Sequence, residues 1–334
     1  MGTVPEASGG EQAPIVASEA APVAGSAAPA TPTSGLLVVD KPRGVTSHDI
    51  VAAARGALHM KKVGHAGTLD PMATGVLVVG FGNATRLLNH IVEHDKTYEA
   101  TIRLGQSTTT DDADGELLSA TSPERWQELL ALPVAGGPQS AGENGPVNAA
   151  KGSAVATAKV ADDGSAYHPH QEAFLPDCQQ LWRDRIGDII ALQLTGSIEQ
   201  VPNTFSAIKI NGQRAYDLAR DGKDVQLKAR RITVSAFGVL DVRFGYAPTR
   251  QLGLPLVSAA DERATTERDD AEATPVIDVD VRVSCSAGTY IRALGRDLGA
   301  ALGVGGHLIR LRRTRVGGFD VSSPNVITAH VETR

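Results

Sequence analysis

The sequence mixes two apolar periodicities and never adopts a regular strand–helix–strand repeat. Apolar residues that alternate or run together predict strands at 36–39, 76–79, 98–104 and 277–285. Apolar residues spaced three and four positions apart predict helices at 46–58, 83–92, 178–192 and 291–302. Because strands and helices are mixed without a βαβ repeat, we predict an α+β fold.

Three segments lack the apolar content of a folded core. Residues 1–34 are rich in Ala, Pro, Ser and Gly, which predicts a disordered tail. The segments at about 133–177 and 245–276 have a similar composition and predict surface insertions. We therefore expect one folded domain over 35–320, with 321–334 as a short C-terminal remnant.

Composition excludes several classes of protein. No apolar run approaches the roughly 18 residues of a membrane-spanning helix, and the N-terminus lacks the basic start and apolar core of a signal peptide. We expect a cytoplasmic protein without a membrane role. Cys178 and Cys285, the two cysteines, are too few for a disulfide framework or a four-cysteine zinc site. The net charge of -6 arises from the tail and the two insertions, so a nucleic-acid partner stays possible.

The densest chemical signal is the segment Gly64–Pro71, which reads GHAGTLDP and is followed by Ala73–Gly75. Its glycines and proline shape a tight loop that presents the carboxylate of Asp70. Loops on a rigid scaffold commonly carry catalytic groups. An Asp before Pro is also an ordinary turn former, so the loop alone leaves both interpretations open.

Two clusters of basic side chains indicate a surface for a polyanion. One spans 209–231 and includes Lys209, and the other is the arginine-rich segment 310–315. Alternation of the second cluster with Leu311 and Val316 predicts a strand whose arginines project to one side, where they would suit phosphates. A charge run of this kind is more often a solvated face without a ligand.

Six blocks of the sequence resemble, in family order, the bacterial TruB family of tRNA pseudouridine synthases. The blocks are GLLVVDKPRGVTSHD, GHAGTLDPMATGVL, DKTYEATIRLGQSTTTDDADG, QVPNTFSAIKINGQRAYDLARDG, CSAGTYIRALGRDLG and GHLIRLRRTRVGGF, and they extend over most of 35–328. The resemblance implies a pseudouridine synthase fold, with a mixed, mostly antiparallel sheet flanked by helices and loops. It implies an isomerase that converts the T-loop uridine of tRNA, position 55, to pseudouridine.

The same resemblance implies individual roles in a catalytic domain. Asp70 is expected to be the nucleophile, Tyr98 to stack on the target base and assist removal of the proton from C5, and Arg292 to pair with Asp70. Asp112 would help to position the arginine, and Leu311 would line the uracil pocket. The residues expected to bind RNA or the base are His65, Asp112, Tyr290, Leu311, Lys41, Lys209, Arg312 and Arg313.

General chemistry supports these roles more weakly. A uracil must leave the stack before its glycosidic bond can be reached, so its pocket needs an aromatic face and positive charge. An arginine beside Asp70 would keep the carboxylate ionised, as a nucleophile requires. The reaction breaks the C1′–N1 bond, turns the base and rejoins it through C5 without redox change. The sequence contains no P-loop, dinucleotide fingerprint or cysteine cluster, so we expect no cofactor and no metal.

Other functions fit parts of the sequence. His90, Glu93 and His94 match the H-x-x-E-H pattern of inverted zinc proteases, with both histidines on one helix face. The basic clusters would also serve an RNA chaperone that opens tRNA without chemistry, although binding alone does not require Asp70 in its glycine-framed loop. A guide-RNA-dependent relative also stays open. We expect tRNA as the partner, no protein partner, and no complete PUA-type domain in a chain that ends at Arg334.

Overall fold

A computed structural model describes residues 15–17, 33–131, 176–203, 209–210, 213–214, 227–248 and 273–331. The strands are β1 (Ile15–Ala17), β2 (Gly35–Lys41), β3 (Val63–Ala66), β4 (Thr74–Phe81), β5 (Lys96–Leu104), β6 (Gln106–Thr108), β7 (Leu117–Ala120), β8 (Gly196–Gln200), β9 (Lys209–Ile210), β10 (Gln213–Arg214), β11 (Arg230–Pro248), β12 (Ala273–Cys285), β13 (Gly306–Val316), β14 (Phe319–Asp320) and β15 (Val326–Val331). The helices are α1 (Ser47–Leu58), α2 (Leu88–Glu93), α3 (Pro123–Ala131), α4 (Pro176–Gln193) and α5 (Ile291–Leu302).

A single large sheet organises the described residues. Eleven of their strands join it, in the order β1-β15-β2-β4-β13-β5-β12-β11-β8, with β3 paired to β4 and β14 to β13. The pairs β2–β15 and β4–β13 are parallel, and the other pairs of this sheet are antiparallel. The predicted α+β class with a mixed, mostly antiparallel sheet is therefore confirmed.

Helix α5 covers the centre of this sheet with the apolar stripe that the sequence predicts. Leu294 and Leu298 are fully buried in the main core. A Cβ on Gly299 would lie 2.2 Å from the carbonyl carbon of Gly305, so the helix touches the turn before β13 backbone to backbone. Only glycine permits this approach, and it holds the last turn of α5 against the start of β13, which pairs with the end of β5.

Helix α1 begins as its sequence predicts. The Thr46 hydroxyl accepts from the amide of Asp49 at 3.1 Å, and the Asp49 carboxylate accepts from the amide of Thr46 at 2.7 Å. This reciprocal capping box satisfies amide groups that the first turn leaves without a helical partner. The helix ends at His59, which adopts a left-handed conformation with φ 50°.

The helix predicted at 83–92 is replaced by two short pieces. A 3₁₀ helix spans Gly82–Leu87 and α2 follows over Leu88–Glu93. His94 is already extended, with ψ 154°. None of the described helices has both the length and the apolar character needed to cross a bilayer.

The predicted segment boundaries need correction at three places. Strand β11 continues to Pro248 and β12 starts at Ala273, so 245–248 and 273–276 pair within the sheet and do not belong to an insertion. Strand β15 pairs in parallel with β2, which makes part of 321–334 an element of the sheet. Residues 15–17 form β1 against β15, where we predicted no strand. The rest of 1–32, and 132–175 and 249–272, lie outside the described residues.

Candidate active site

Ser47, the first residue of α1, anchors the loop that carries Asp70. Ser47 donates from its hydroxyl to the carbonyl of Leu69 at 3.1 Å and accepts from the Leu69 amide at 2.9 Å. The amide of Ala73 donates to the carbonyl of Asp70 at 3.0 Å. Leu69 is itself buried, so the loop is anchored while the Asp70 side chain stays 37% exposed. A rigid loop with one accessible carboxylate is what a nucleophile requires.

Arg292 joins that carboxylate to a second one. Its Nε lies 3.0 Å from Oδ2 of Asp70, and its Nη1 lies 3.1 Å from Oδ2 of Asp112. Nη1 also donates to the carbonyl of Thr110 at 3.0 Å. The guanidinium is therefore held on one edge by the turn that carries Asp112 and presents its other edge to Asp70. Burial raises the pKa of Asp112, and the charge of Arg292 opposes that rise.

A second arginine of α5 holds the same turn. Arg296, one helical turn after Arg292, pairs with Asp111 at 3.0 Å. The side-chain amide of Asn203 donates to Oδ2 of Asp111 at 2.6 Å and to the carbonyl of Thr110 at 2.8 Å. The sequence predicted a positioning role for Asp112 and none for Asp111, so this role of Asp111 was missed. The i, i+4 spacing of Arg292 and Arg296 was the signal that could have indicated it.

Tyr98 and Leu311 form the apolar side of the site. Both side chains are buried, at 7% and 5% exposure, and belong to the same core cluster. Burial raises the pKa of Tyr98, and Asp70 lies close enough for its charge to add to that rise. The structure thus brings Asp70, Tyr98 and Arg292 into one region, while their catalytic roles stay predictions.

Arg313 does not project toward solvent as predicted. It is 1% exposed, and it donates from Nε to the carbonyl of Val76 at 2.8 Å and from Nη2 to the carbonyl of Gly67 at 3.0 Å. Arg313 lies two residues after the buried Leu311 on β13 with no register irregularity between them, so both side chains project from the same face of the sheet. Arg312 projects from the other face and pairs with Asp40 at 2.7 Å.

Lys41 also needs correction as an RNA contact. Its side chain has no exposed surface, and its ammonium donates to the carbonyls of Val45 at 2.7 Å, Pro42 at 2.9 Å and Pro71 at 3.4 Å. Burial lowers its pKa to about 8, and the charge of Asp70 opposes this shift. Lys41 therefore supports the Asp70 loop from beneath and has no donor left for a phosphate.

His65 and Tyr290 lie at the edge of the site. The ring of His65 on β3 meets the ring of His48 edge-on, with centroids 5.5 Å apart, and burial lowers the pKa of His65. Tyr290 caps α5, and its ring lies 5.4 Å from the guanidinium carbon of Arg230. The side chain of Lys209 lies outside the described residues, so its predicted contact stays a prediction.

Parts of the chain match models of known protein families. Residues 55–132 and 156–251 match the family model described as TruB family pseudouridylate synthase (N terminal domain). Residues 292–331 match the one described as tRNA pseudouridylate synthase B C-terminal domain. The chain belongs to the TruB family. The second match includes β15, so this strand is part of a family element.

Individual proteins of the TruB family are similar over most of this chain. A Bifidobacterium longum (strain NCC 2705) protein named tRNA pseudouridine synthase B is 56% identical over 292 residues, which are 86% of this chain and 64% of that protein. A Streptomyces avermitilis protein of the same name is 42% identical over 88% of this chain and 71% of its own length. The chain thus spans less than two thirds of the Bifidobacterium relative. A solved structure of a Cbf5-Nop10-Gar1 complex aligns with TM-score 0.46 and 22% identity over 89% of this chain and 53% of that chain.

The zinc-protease alternative does not fit the described geometry. His90 lies in α2, but the helix ends at Glu93 and His94 leaves it in an extended conformation. The two histidines therefore do not share a helix face. In the part of the chain that the structure describes, no three His, Cys, Asp or Glu side chains are grouped to hold a metal ion.

Proposed function

We propose that this TruB family member isomerises the T-loop uridine of tRNA, position 55, to pseudouridine, with Asp70 as the nucleophile. One observation carries the proposal: Asp70 is a half-buried carboxylate at 3.0 Å from a guanidinium whose other edge is bound to Asp112. A turn former would need neither this charge partner nor the second carboxylate behind it. The names of the relatives, tRNA pseudouridine synthase B, supply the reaction class and the RNA.

In this proposal Arg292 keeps the nucleophile ionised and aimed. An opposite charge at hydrogen-bond distance favours the charged form of a carboxylate, and Asp112 prevents the guanidinium from swinging away. Attack at C1′, attack at the base and assistance in forming a glycal all need an ionised carboxylate at this position. The exposed part of Asp70 faces the side from which a flipped nucleotide can enter.

Tyr98 and Leu311 are proposed to hold the uracil while it turns. The tyrosine offers a ring face for stacking, which stabilises an unstacked base without sequence readout. Because burial raises the pKa of Tyr98, its phenol is neutral at pH 7 and can donate or accept a hydrogen bond. Leu311, on the neighbouring strand β13, extends this apolar side as a wall along which the base can rotate.

The proposed partner is the T-arm of tRNA, with no further protein partner and no cofactor. Arg230 and Tyr290 lie together at the N-terminus of α5, where a cation and an aromatic ring suit phosphate and a splayed base. His65 and Lys209 are proposed to extend this surface. Because tRNA is the proposed substrate, the cytoplasm is the proposed site of action.

The test uses the full chain and an unmodified tRNA transcript. Pseudouridine is mapped at every uridine for the wild type, for Asp70→Ala and for Asp184→Ala, an exposed control on α4. We expect modification at position 55 alone, unchanged in the control and slowed by at least about a thousandfold in Asp70→Ala. Wild-type protein that binds tRNA but forms no pseudouridine would contradict the proposal.

The same variants separate the enzyme from a chaperone. Filter binding measures the affinity for tRNA, and we expect Asp70→Ala to bind as the wild type does. For a chaperone without chemistry, Asp70→Ala would retain both tRNA binding and refolding, and no variant would form pseudouridine.

A further inference from the structure

We propose that Arg313 is a positioning residue for Tyr98, because its buried guanidinium lies beside the phenol and holds both β4 and the loop that carries Asp70. The inference rests on the proposed function, in which Tyr98 contacts the target base. It replaces the expectation that Arg313 contacts RNA.

The two residues are direct neighbours across the sheet. In the register of β5 and β13, Tyr98 lies opposite Arg313. Residues opposite each other in an antiparallel pair project from the same face of the sheet. Both side chains are buried on that face. An arginine in this position cannot reach solvent, so it must act on what surrounds it.

The donors of Arg313 hold two different parts of the site. Nε and Nη2 donate to the carbonyls of Val76 in β4 and Gly67 in the loop. The guanidinium also lies close enough to the phenol of Tyr98 for its charge to act on that group. Gly67 lies three residues before Asp70 and has φ +80°, so its carbonyl is aimed by a conformation that favours glycine. The planar fork of a guanidinium can hold these acceptors at fixed angles, which an ammonium on a flexible stem does not do.

The charge of Arg313 is as unusual as its position. Among the described residues no carboxylate forms an ion pair with it, whereas Arg292 pairs with two carboxylates and Arg312 with one. A buried cation without a counterion is costly. Such a site favours negative charge nearby, and the phenol of Tyr98, opposite Arg313 in the sheet, is a group able to take it up.

Electrostatics on the phenol follow from its neighbours. Burial raises the pKa of Tyr98, and Cys285 from β12 and Asp70 from the loop add to this rise. Arg313 opposes all three through its charge. Arg313 therefore lowers the cost of negative charge on the phenol oxygen while the C5 proton is removed.

The first experiment reads the phenol directly and does not depend on activity. 3,5-Difluorotyrosine at position 98 has a more acidic phenol, so its titration falls in a pH range in which the protein is folded, and ¹⁹F NMR follows it. We compare the native residue at 313 with Arg313→Gln and Arg313→Lys. The control is Arg282→Gln, which removes an exposed arginine opposite Glu99, one position along β5.

We expect the titration midpoint to rise in Arg313→Gln, to rise less in Arg313→Lys, and to stay unchanged in the control. An unchanged midpoint in either folded Arg313 variant overturns the inference. If Arg313→Gln does not fold, Arg313→Lys, which keeps the charge and loses the fork, supplies the result.

The second experiment separates positioning from RNA binding. In assays with an unmodified tRNA transcript, Arg313→Lys should lower kcat about tenfold while KM changes less than about threefold, because the guanidinium fork that holds β4 and the Asp70 loop beside Tyr98 is lost. A phosphate contact would instead raise KM and reduce the salt dependence of binding. Wild-type protein without activity contradicts the proposed function. Active wild type with a normal kcat in Arg313→Lys contradicts this inference alone.

Discussion

Two arginine–aspartate pairs of this molecule differ in how the guanidinium is used. In the interior of the sheet, Arg103 donates from Nε and Nη2 to both oxygens of Asp278 at 2.8 and 2.9 Å, and both side chains are almost fully buried. In the candidate active site, Arg292 divides its donors between two carboxylates, Asp70 and Asp112, and Asp70 stays partly open to solvent.

The difference indicates which features distinguish the candidate site from a structural ion pair. A bidentate buried pair satisfies both charges and leaves no edge for a ligand, so its role is structural. In the shared arrangement, Asp112 holds the cation, and Asp70 is positioned without being covered. A buried arginine beside an aspartate is therefore not a sign of catalysis by itself. The division of its donors and the exposure of one acceptor are the informative features.

The strongest test of this comparison removes one carboxylate from each pair. Asp278→Ala should lower the free energy of unfolding by about 3–5 kcal/mol, because it leaves the charge of Arg103 buried without its carboxylate. Asp70→Ala should cost less than about 1 kcal/mol, because Arg292 keeps Asp112 and Asp70 is partly solvated. Urea denaturation followed by tryptophan fluorescence measures both. Equal losses in the free energy of unfolding would mean that the two pairs contribute equally to stability, which contradicts the comparison. Asp278→Ala protein that folds should still modify tRNA.

Local patterns predicted much of the scaffold that holds these pairs. The capping box at Thr46 and Asp49 fixed the start of α1, since all its partners lie within one turn. Alternation predicted the parts of β5 and β12 that pair side by side, because one face of each lies in the core. The position of Asp70 came from its glycine-framed loop, and its partner Arg292, far along the chain, came only from the family resemblance.

The burial of two cations was not predicted in this way. Lys41 and Arg313 were expected to bind RNA, but Lys41 ends β2 next to the Asp70 loop, and its donors all go to backbone carbonyls. Arg313 lies two residues after Leu311 on β13, so both side chains project from the same buried face. The spacing from Leu311 could have indicated this for Arg313, whereas the burial of Lys41 depends on backbone placement that no local spacing encodes.

The interior around the Arg103–Asp278 pair is also expected to respond to acid, through the buried side chain of His307. His307, directly opposite Arg103 in the sheet, is fully buried, and burial lowers its pKa to about 4 with a smaller effect from the charge of Arg103. The unfolded chain binds a proton on this ring below about pH 6.5. The buried, neutral ring of His307 is therefore fully compatible with the folded state above about pH 6.5, and the free energy of unfolding falls as the pH is lowered from there toward 4.

Lowering the pH from 7 to 4.5 should decrease the free energy of unfolding of the wild type by about 2 kcal/mol more than that of His307→Gln. Urea denaturation at the two pH values gives the difference. The control variant is His330→Gln, because His330 is exposed on β15. An equal loss in wild type and His307→Gln would show that the ring is protonated in the folded protein and that the interior is less closed than the structure implies.

The smallest expected effect concerns a pair of the same residue types at the rim. Arg312 donates to both oxygens of Asp40 at 3.0 and 2.7 Å, as Arg103 does to Asp278, but both side chains are partly exposed. Both pairs are thus bidentate, through Nε and Nη2 in Arg103 and through Nη1 and Nη2 in Arg312, but they differ in burial. Arg312→Gln should cost about 1 kcal/mol or less in urea denaturation, because solvent screens the pair, and Asp40→Asn should cost a similar amount. A cost near that of Asp278→Ala would mean that the bidentate geometry, and not burial, makes the interior pair structural.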